Sequence, residues 1–250
     1  IPLPYREGAN GHWTRTLAVA PDGSKLYVAV GSSSNIADRG MAVERNRAAI
    51  WAINPDGSGM RIFASGLRNP VGLEFDPHSG ELWTAVNERD MLGDNLVPDY
   101  MTHVVEGGFY GWPYSYWGRH VDTRVQPQNP ALVATALAPD YALGAHTASL
   151  GLHFYRGAAL PEHYRNGVFI GQHGSWNRSR FVGYKVVFVP FSTGRPSGPV
   201  EDFLTGFLNA RNEAQGRPVG VGEDPTGALL VADDVGNIIW RVAPAPAAGR

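Results

Sequence analysis

The chain has 250 residues, a formal net charge of −2, 43% apolar residues and no cysteine. This length gives ample material for a buried core, while the near-neutral charge removes any general electrostatic case for binding nucleic acid or a membrane surface. The lack of cysteine excludes disulfides, thiolate metal sites and a cysteine nucleophile, and no apolar run approaches the roughly 18 residues that a membrane-spanning helix needs.

The predicted elements are short strands. The 31 glycines and 19 prolines are interleaved with β-branched and aromatic residues, a composition typical of many short strands joined by tight turns. No long stretch keeps a helical apolar period, so the predicted fold class is all-β. In chain order, the predicted strands are Thr16–Ala20, Lys25–Gly31, Ala48–Asn54, Arg61–Leu67, Val71–Asp76, Glu81–Asn87, Leu150–Arg156, Gly167–Gly171, Tyr184–Pro190, Val219–Glu223, Ala228–Asp233 and Asn237–Val242.

A turn motif recurs ahead of four of these strands. Its copies end at Gly23, Gly80, Gly167 and Gly227, the third being degenerate. This spacing fits the blades of a β-propeller that carry loop insertions, since typical blade repeats are about 40 to 50 residues long. We therefore predict a β-propeller domain of about four blades over residues 1–242 and a Pro/Ala-rich tail over residues 243–250. Because four blades is the rare minimum, we expect the chain to be the C-terminal two-thirds of a larger propeller.

Two polar segments come directly before predicted strands, where residues of a propeller converge on one rim of its channel. His12 is a candidate general base because the histidine pKa lies near working pH; the alternative is a loop histidine packed against Trp13. Arg68 and Asn69 precede Pro70, which favours an extended bend and so projects both side chains. The planar guanidinium of Arg68, with its fork of N–H donors, suits an anionic or carbonyl ligand. The alternative is that Arg68 forms a surface ion pair with a nearby carboxylate.

Two polar loops follow predicted strands. The first runs from Asn87 to Asn95 and is rich in carboxylate and amide oxygens, which Ca²⁺ prefers; its spacing does not match an EF-hand, and a solvated loop is the alternative. The second, His173–Arg178, places His, Asn and Arg within six residues around a glycine, a pattern that favours a ligand-facing loop. Walker, GxGxxG, HExxH and GxSxG motifs are missing, so nicotinamide and serine-hydrolase chemistry lack support.

Taken in order, these segments resemble the soluble sugar dehydrogenases that depend on pyrroloquinoline quinone (PQQ), in particular the L-sorbosone and pyranose dehydrogenase-like branch. The strings Asn87-Glu88-Arg89-Asp90, Gly107–Pro113 and His173–Arg178 carry the resemblance, which extends from His12 to Val242. It implies a six-bladed propeller with PQQ in its channel, Ca²⁺ as second cofactor, a sugar substrate and a separate electron acceptor. It also implies a periplasmic or secreted location, and no signal peptide is visible in the chain.

The resemblance also implies roles for single residues. His12 matches the family's general base, which takes a proton from the sugar hydroxyl, and Arg68 stabilises charge that develops on the quinone. The main-chain carbonyls of the segment Asn87, Glu88 and Arg89 match those that bind Ca²⁺, which acts as a Lewis acid. Cofactor contacts are expected from Arg68, Asn69, His173, Asn177, Arg178 and Arg217.

Some positions depart from the glucose dehydrogenase pattern. Thr16 and Val219 stand where that pattern has arginines, and the loop with His173 replaces one that supplies a lysine to the cofactor, which leaves His173 or Arg178 for that role. These departures favour another aldose, aldehyde or pyranose over glucose. Two alternatives remain at this stage: a propeller that binds carbohydrate or protein without catalysis, and a calcium-dependent lactonase-type hydrolase with a cage of carboxylate and asparagine ligands.

Overall fold

The computed structural model describes residues 2–5 and 11–245, whose regular elements are almost all strands of antiparallel sheets joined by loops. Within this part, α1 (Pro130–Val133) is a single turn whose cap, Asn129, accepts a hydrogen bond from the Leu132 N–H. A 3₁₀ turn spans Glu162–Tyr164. No described helix is long and apolar enough to cross a membrane. The predicted all-β class is confirmed.

Most strands belong to four successive sheets. The first contains β1 (Arg15–Val19), β2 (Leu26–Val30), β3 (Ala49–Ile53) and β4 (Arg61–Ser65). The second contains β5 (Pro70–Phe75), β6 (Leu82–Val86), β7 (Pro98–His103) and, after a hairpin of β8 (Ser115–Tyr116) and β9 (His120–Val121), β10 (Tyr141–Ala145). The third contains β11 (Ser149–Phe154), β12 (Gly167–Gln172) and β13 (Lys185–Ser192), which pairs with both β14 (Arg195–Pro196) and β15 (Glu201–Leu204). The fourth contains β16 (Pro218–Glu223), β17 (Leu229–Asp233) and β18 (Ile238–Val242).

The sheets pack face to face around their first strands. β1 contacts β5, β5 contacts β11, and β11 contacts β16. The apolar faces between neighbouring sheets are filled by large side chains such as Trp83, Phe154 and Phe188, all fully or almost fully buried. Each such side chain contributes roughly 1.5–3 kcal/mol by leaving water. The result is a propeller-like arrangement, which brings the ends of the four first strands together.

The recurring turn joins the first and second strands of three sheets. In each copy an aspartate side chain accepts a hydrogen bond from the main-chain N–H two residues later, which closes an Asx turn. The following glycine has a positive φ, 72° at Gly23, 73° at Gly80 and 83° at Gly227, which only glycine adopts without strain. The hydrogen-bonded pairs are Asp22 with Ser24, Asp76 with His78, and Asp224 with Thr226.

Every predicted strand is present, with its ends within two residues of the prediction. Six strands were not predicted, namely β7, β8, β9, β10, β14 and β15. β7 begins with Pro98-Asp99, a polar start that suggested a loop, and β10 carries Gly144 at a shift in register. The predicted tail, residues 243–250, lies mostly outside the described residues.

Candidate active site

The strand register places polar segments from all four sheets at one end of the molecule. In each sheet the start of the first strand is paired with the end of the second strand. The residues that precede the first strand therefore lie beside the residues that follow the second strand. The pairs are Arg15 with Val30, Pro70 with Val86, Ser149 with Gln172, and Pro218 with Asp233. A cavity of about 640 Å³ lies at this end. Its polar lining residues are His12, Asn35, Asp38, Arg68, Asn87, Asp90, His146, His173, Ser175 and Arg217.

His12 is held in one orientation just before β1. Its Nδ1 lies 3.0 Å from the Ser32 carbonyl oxygen and 2.9 Å from Ser32 Oγ. Since a carbonyl oxygen only accepts, Nδ1 carries the proton and Nε2 keeps its lone pair; Nε2 has no hydrogen-bond partner in the described part of the chain. A Cβ at Gly31 would lie 2.6 Å from His12 Cβ and 2.3 Å from Asn69 Oδ1, so this glycine permits the close approach of both residues.

The surroundings of His12 keep its imidazole neutral. Burial, together with the nearby charges of Arg68, Arg47 and Arg15, lowers the pKa of His12 to about 3, against the opposing effect of the Ser32 carbonyl. A neutral imidazole with a free Nε2 is the form that can accept a proton. The alternative of a histidine packed against Trp13 gains no support, because Trp13 is 74% exposed.

The lowered pKa of His12 predicts that the stability of the protein depends on pH. Between pH 6.5 and about 3 the unfolded chain binds a proton at position 12 that the folded protein does not bind. The free energy of unfolding should therefore fall as the pH falls through this window, by roughly 2–4 kcal/mol from this group. Urea denaturation at pH 7.5 and pH 4.5 measures how much free energy of unfolding is lost between the two pH values. This loss should be smaller for His12→Gln than for the wild type. The exposed His78→Gln variant serves as control, and equal losses in all three proteins would refute the assignment.

Arg68 is a buried cation surrounded by oxygens, and its side chain is only 4% exposed. Its Nη1 donates to the carbonyl oxygens of Glu88 at 2.7 Å and Asn87 at 3.2 Å. Its Nη2 donates to Asn35 Oδ1 at 2.9 Å and lies 3.3 Å from Asp90 Oδ2, and its Nε donates to the Asn35 carbonyl at 3.2 Å. The ion pair that was the alternative is present, with Asp90, but it is buried and does not lie at the surface. The neighbouring Asn69 is also buried, and its Oδ1 has no hydrogen-bond partner among the described residues.

Asp99, a buried residue of β7, fixes the segment of Asn87, Glu88 and Arg89 through its carboxylate. Asp99 accepts hydrogen bonds from the Glu88 N–H at 2.8 Å and from the Ser149 N–H at 3.0 Å, so it ties this loop to the start of β11. Burial raises the pKa of Glu88 to about 7, and its carboxyl accepts from the Arg89 N–H. The Arg89 side chain is buried against Asp122 at 2.9 Å. Its guanidinium nitrogens are buried and have no hydrogen-bond partner among the described residues. Of these three residues, Asn87 lines the cavity, whereas Glu88 and Arg89 are not among its lining residues.

Arg217 and His173 form one connected group on the opposite side of the cavity. His173 Nε2 lies 3.0 Å from the carboxylate of Asp234, and His173 Nδ1 lies 3.2 Å from Arg217 Nη1. Because guanidinium only donates, Nδ1 accepts and Nε2 carries the proton. Arg217 also donates to the Tyr184 hydroxyl at 2.8 Å and lies 4.9 Å from the centre of the Tyr184 ring. Both ring nitrogens of His173 are therefore occupied, and Arg217 is oriented by its neighbours.

Asn177 and Arg178 lie at the rim and not in the cavity lining. Asn177 Oδ1 accepts from the Met91 N–H at 3.0 Å, and Arg178 donates to the Asp94 carbonyl. Their contacts join the loop after β6 to the loop after β12. A direct cofactor contact by these two residues remains a prediction, whereas the cross-loop role was not anticipated.

Asn35, Asp38 and His146 line the cavity and were not among the predicted residues. His146 is buried just before β11, and its Nε2 lies 2.8 Å from the Gly93 carbonyl while its Nδ1 lies 3.3 Å from Asp90 Oδ1. Asn35 holds Arg68 through two oxygens. All three belong to segments without a recognisable motif, so their position relative to the strand ends was the only available signal.

Fold and cavity together describe a propeller-like protein with a largely polar cavity, of a size that suits a small molecule, at one end of its sheets. The glucose/sorbosone dehydrogenase family model matches residues 4–177, and a TrAA12-like model matches residues 121–244. The chain belongs to the glucose/sorbosone dehydrogenase family, and the resemblance drawn from its motifs is confirmed.

Individual relatives agree with this assignment. An uncharacterised protein of Borreliella burgdorferi is 38% identical over 92% of this chain and 60% of its own length. A PQQ-dependent pyranose dehydrogenase of Coprinopsis cinerea is 27% identical over 82% of this chain and 34% of its own length. The chain thus spans well under two-thirds of these relatives.

Solved structures show the same fold. The holo form of the pyranose dehydrogenase PQQ domain from Coprinopsis cinerea aligns with a TM-score of 0.75 at 24% identity, over 93% of this chain and 70% of that one. The calcium structure of a family AA12 carbohydrate-active enzyme from Trichoderma reesei aligns with a TM-score of 0.74 at 22% identity, over 90% of this chain and 67% of that one.

Proposed function

We propose that this protein oxidises a sugar or sugar aldehyde, with PQQ as the electron acceptor in its cavity, Ca²⁺ beside it and a further acceptor to reoxidise the quinone. The observation that carries the proposal is the convergence of His12, Arg68 and Arg217 on one cavity. The choice of PQQ and Ca²⁺ as cofactors comes from the relatives and solved structures named above. The greater length of the relatives supports the proposal that this chain forms about four blades of a six-bladed propeller. A periplasmic or secreted location is proposed from the family alone, and cell fractionation would test it.

The cavity suits a planar anion with several carboxylates. Arg68 and Arg217 face it from different sheets, and both bring positive charge. The N–H groups of Arg68 all lie against protein oxygens. Arg217 uses one N–H on His173 and one on Tyr184, so its remaining donors can bind a carboxylate through two parallel hydrogen bonds. Arg217 is held by Tyr184 and His173, so little side-chain freedom is lost when it binds. In this reading His173 supports Arg217, and Asn69, whose amide is buried beside His12, contacts the quinone oxygens.

The oxygens near Arg68 suit a hard cation. Each carbonyl oxygen has two lone pairs, so the carbonyls of Asn87 and Glu88 can accept from Arg68 and still hold Ca²⁺, as can the adjoining Arg89 carbonyl. Asp38 and Asp90 also line the cavity, and these carboxylates would repel an anionic cofactor unless a cation offset them. A lactonase-type cage is not supported, since no three acidic or histidine side chains cluster as a metal site within the described residues.

When bound, PQQ would supply the acceptor for the hydride of the sugar carbon, and Ca²⁺ held by the carbonyls of Asn87, Glu88 and Arg89 would supply a Lewis acid. His12 Nε2 accepts the proton of the sugar hydroxyl on that carbon, while the Ser32 carbonyl holds the Nδ1 proton in place. Arg68 stabilises negative charge that develops beside it. The carboxylates of the cofactor would offset the arginine charges around His12 and so oppose that part of the lowering of its pKa, of which burial is the larger cause.

A titration of the cofactor-free protein with PQQ tests the proposal. We expect a saturable change in absorbance that requires Ca²⁺, followed by reduction of the quinone when an aldose is added. Arg217→Ala should weaken PQQ binding about tenfold through loss of a charged hydrogen-bonded pair. Arg156→Ala removes an exposed arginine paired with Glu74 outside the cavity and should have no effect. Absence of PQQ binding by a well-folded protein would contradict the proposal for this chain.

A further inference from the structure

His146 is a histidine of the cavity wall that the proposed proton transfer does not use. Its side chain is only 3% exposed, and it lies shortly before β11, as His12 lies shortly before β1. Its Nε2 lies 2.8 Å from the Gly93 carbonyl oxygen, and its Nδ1 lies 3.3 Å from Asp90 Oδ1. Both ring nitrogens of His146 therefore face oxygens of the loop after β6, which distinguishes this ring from that of His12.

The acceptors around His146 require an N–H group on each ring nitrogen. A carbonyl oxygen and a carboxylate oxygen only accept hydrogen bonds, whereas a neutral imidazole has a single N–H. In its neutral form His146 could serve one of these oxygens and would turn a lone pair toward the other. Because the side chain is almost fully buried, solvent does not compensate for the missing donor. The imidazolium form satisfies both oxygens.

The main chain at His146 has an uncommon conformation that its surroundings impose. φ is 62° at His146 and 49° at Ala148, in the left-handed region that residues other than glycine rarely adopt. Such conformations persist where neighbouring contacts over-determine them, and they concentrate at functional sites. Here the Thr147 hydroxyl donates to Asp99 Oδ2 at 3.0 Å, and the Ala148 carbonyl accepts from the His173 N–H at 3.0 Å. The ring is thus aimed at the loop after β6 by a main chain that is fixed from two sides.

The carboxylate of Asp90 connects His146 to Arg68. Its Oδ1 faces His146 Nδ1, and its Oδ2 lies 3.3 Å from Arg68 Nη2. The Asp90 N–H donates to Asn35 Oδ1, which also accepts from Arg68. Asp90 is therefore shared between two side chains of different sheets, and each contact restricts its rotation.

We propose that His146 is a positioning residue whose imidazolium holds the Asp90 carboxylate against Arg68 and so fixes the direction in which the Arg68 guanidinium faces the cavity. The positive charge of His146 also offsets that of the carboxylate, which favours an anionic ligand beside Arg68. The consequence for PQQ reduction rests on the proposed function, whereas the contacts of His146 do not.

NMR of the cofactor-free protein, with its histidine and arginine side chains isotope-labelled, tests the hydrogen bonds directly. At neutral pH we expect a proton on each ring nitrogen of His146, and resolved, slowly exchanging N–H signals from Arg68. A His146 ring with a single proton would overturn the proposal. This measurement uses the wild type, so it decides the proposal even if no variant at position 146 folds.

Two substitutions each keep one of the two hydrogen bonds. The amide of His146→Asn reaches about as far as Nδ1 and can still donate to Asp90, whereas the amide of His146→Gln reaches the position of Nε2 and can donate to the Gly93 carbonyl. We expect His146→Gln to speed the exchange of the Arg68 N–H groups and to lower the rate of sugar-dependent PQQ reduction about tenfold. His146→Asn should stay within about threefold of the wild type. His103→Gln removes a histidine bonded to Asp140 outside the cavity lining and should match the wild type.

The outcomes separate this inference from the proposed function. Equal Arg68 exchange in His146→Gln and His146→Asn would overturn the positioning role, because a ring that only fills space does not distinguish these two variants. Unequal Arg68 exchange with equal rates of PQQ reduction would also overturn it, since the orientation of Arg68 would then not matter to the reaction. The expected NMR results in a protein that binds no PQQ would leave the role of His146 standing and reject the proposed oxidation.

Discussion

Replacing His12 with alanine is expected to lower the rate of sugar-dependent PQQ reduction by about 10²–10⁴-fold, the usual contribution of a positioned general base. The reason is that Nε2 of His12 is the free nitrogen of an imidazole whose other nitrogen is fixed by Ser32. PQQ affinity should change little, because the positive charge that binds the carboxylates comes from Arg68 and Arg217. Single-turnover absorbance of the reconstituted protein, with PQQ affinity determined in parallel, measures both quantities.

Two controls make this result specific. His120→Ala removes an exposed histidine bonded only to the Trp117 carbonyl, and its rate should equal that of the wild type. Addition of imidazole should restore part of the rate to His12→Ala, since a small base can enter the space left by the ring. A rate within about threefold of the wild type for His12→Ala would reject His12 as the base.

Arg68→Ala should be the most damaging substitution for stability. Burial lowers the pKa of Arg68, while Asp90 and Glu88 oppose that effect, so the side chain is a buried cation held by its acceptors. Its removal leaves buried oxygens of Asn35, Asn87 and Glu88 without donors, and loss of one member of such a network costs about 3–5 kcal/mol. The free energy of unfolding from urea denaturation of the cofactor-free protein gives the value. Sugar oxidation should also be lost, because the same guanidinium faces the cavity.

Two further variants complete this test: one separates charge from geometry at position 68, and the other is an exposed control. Arg68→Lys keeps the charge but not the planar donor fork, so it should recover only part of the stability. Arg61→Ala removes an exposed arginine paired with Glu106 and should cost no more than about 1 kcal/mol. A loss for Arg68→Ala as small as that for Arg61→Ala would show that the oxygens around Arg68 are satisfied without it.

The strands were predictable where the chain alternates turn residues with β-branched and aromatic residues. One of the six missed strands departs from that pattern because it supports the candidate site. This strand is β7: Asp99 occupies a fully buried position there because it holds the N–H groups of Glu88 and Ser149. From sequence alone, an aspartate at this position indicates a loop, because aspartate is rare inside strands. The N–H groups that bind its carboxylate lie 11 and 50 positions away in the chain, so no local pattern reveals them.

The candidate site was predictable in part for a similar reason. His12, Arg68 and Arg217 each come directly before a first strand, and motif resemblance pointed to all three. Their mutual distances depend on how four sheets pack, which no local pattern encodes. His146 lies in the equivalent position before β11, so a rule based on strand starts would have found it. The supporting role of His173 could not be foreseen, because it depends on Asp234, which lies 61 positions away.

The strand register described above has a consequence for how such a cavity can diversify. Each sheet contributes its own short stretch of loop to the cavity, and the loops are anchored on strands whose packing is buried elsewhere. Changes in the segment 176–179, which leaves out His173 and its bond to Arg217, can therefore reshape the mouth while His12 keeps its bond to Ser32 in a different sheet. Under the proposed function, substrate preference and proton transfer would depend on different sheets, so directed evolution of residues 176–179 is a way to change the sugar without altering His12.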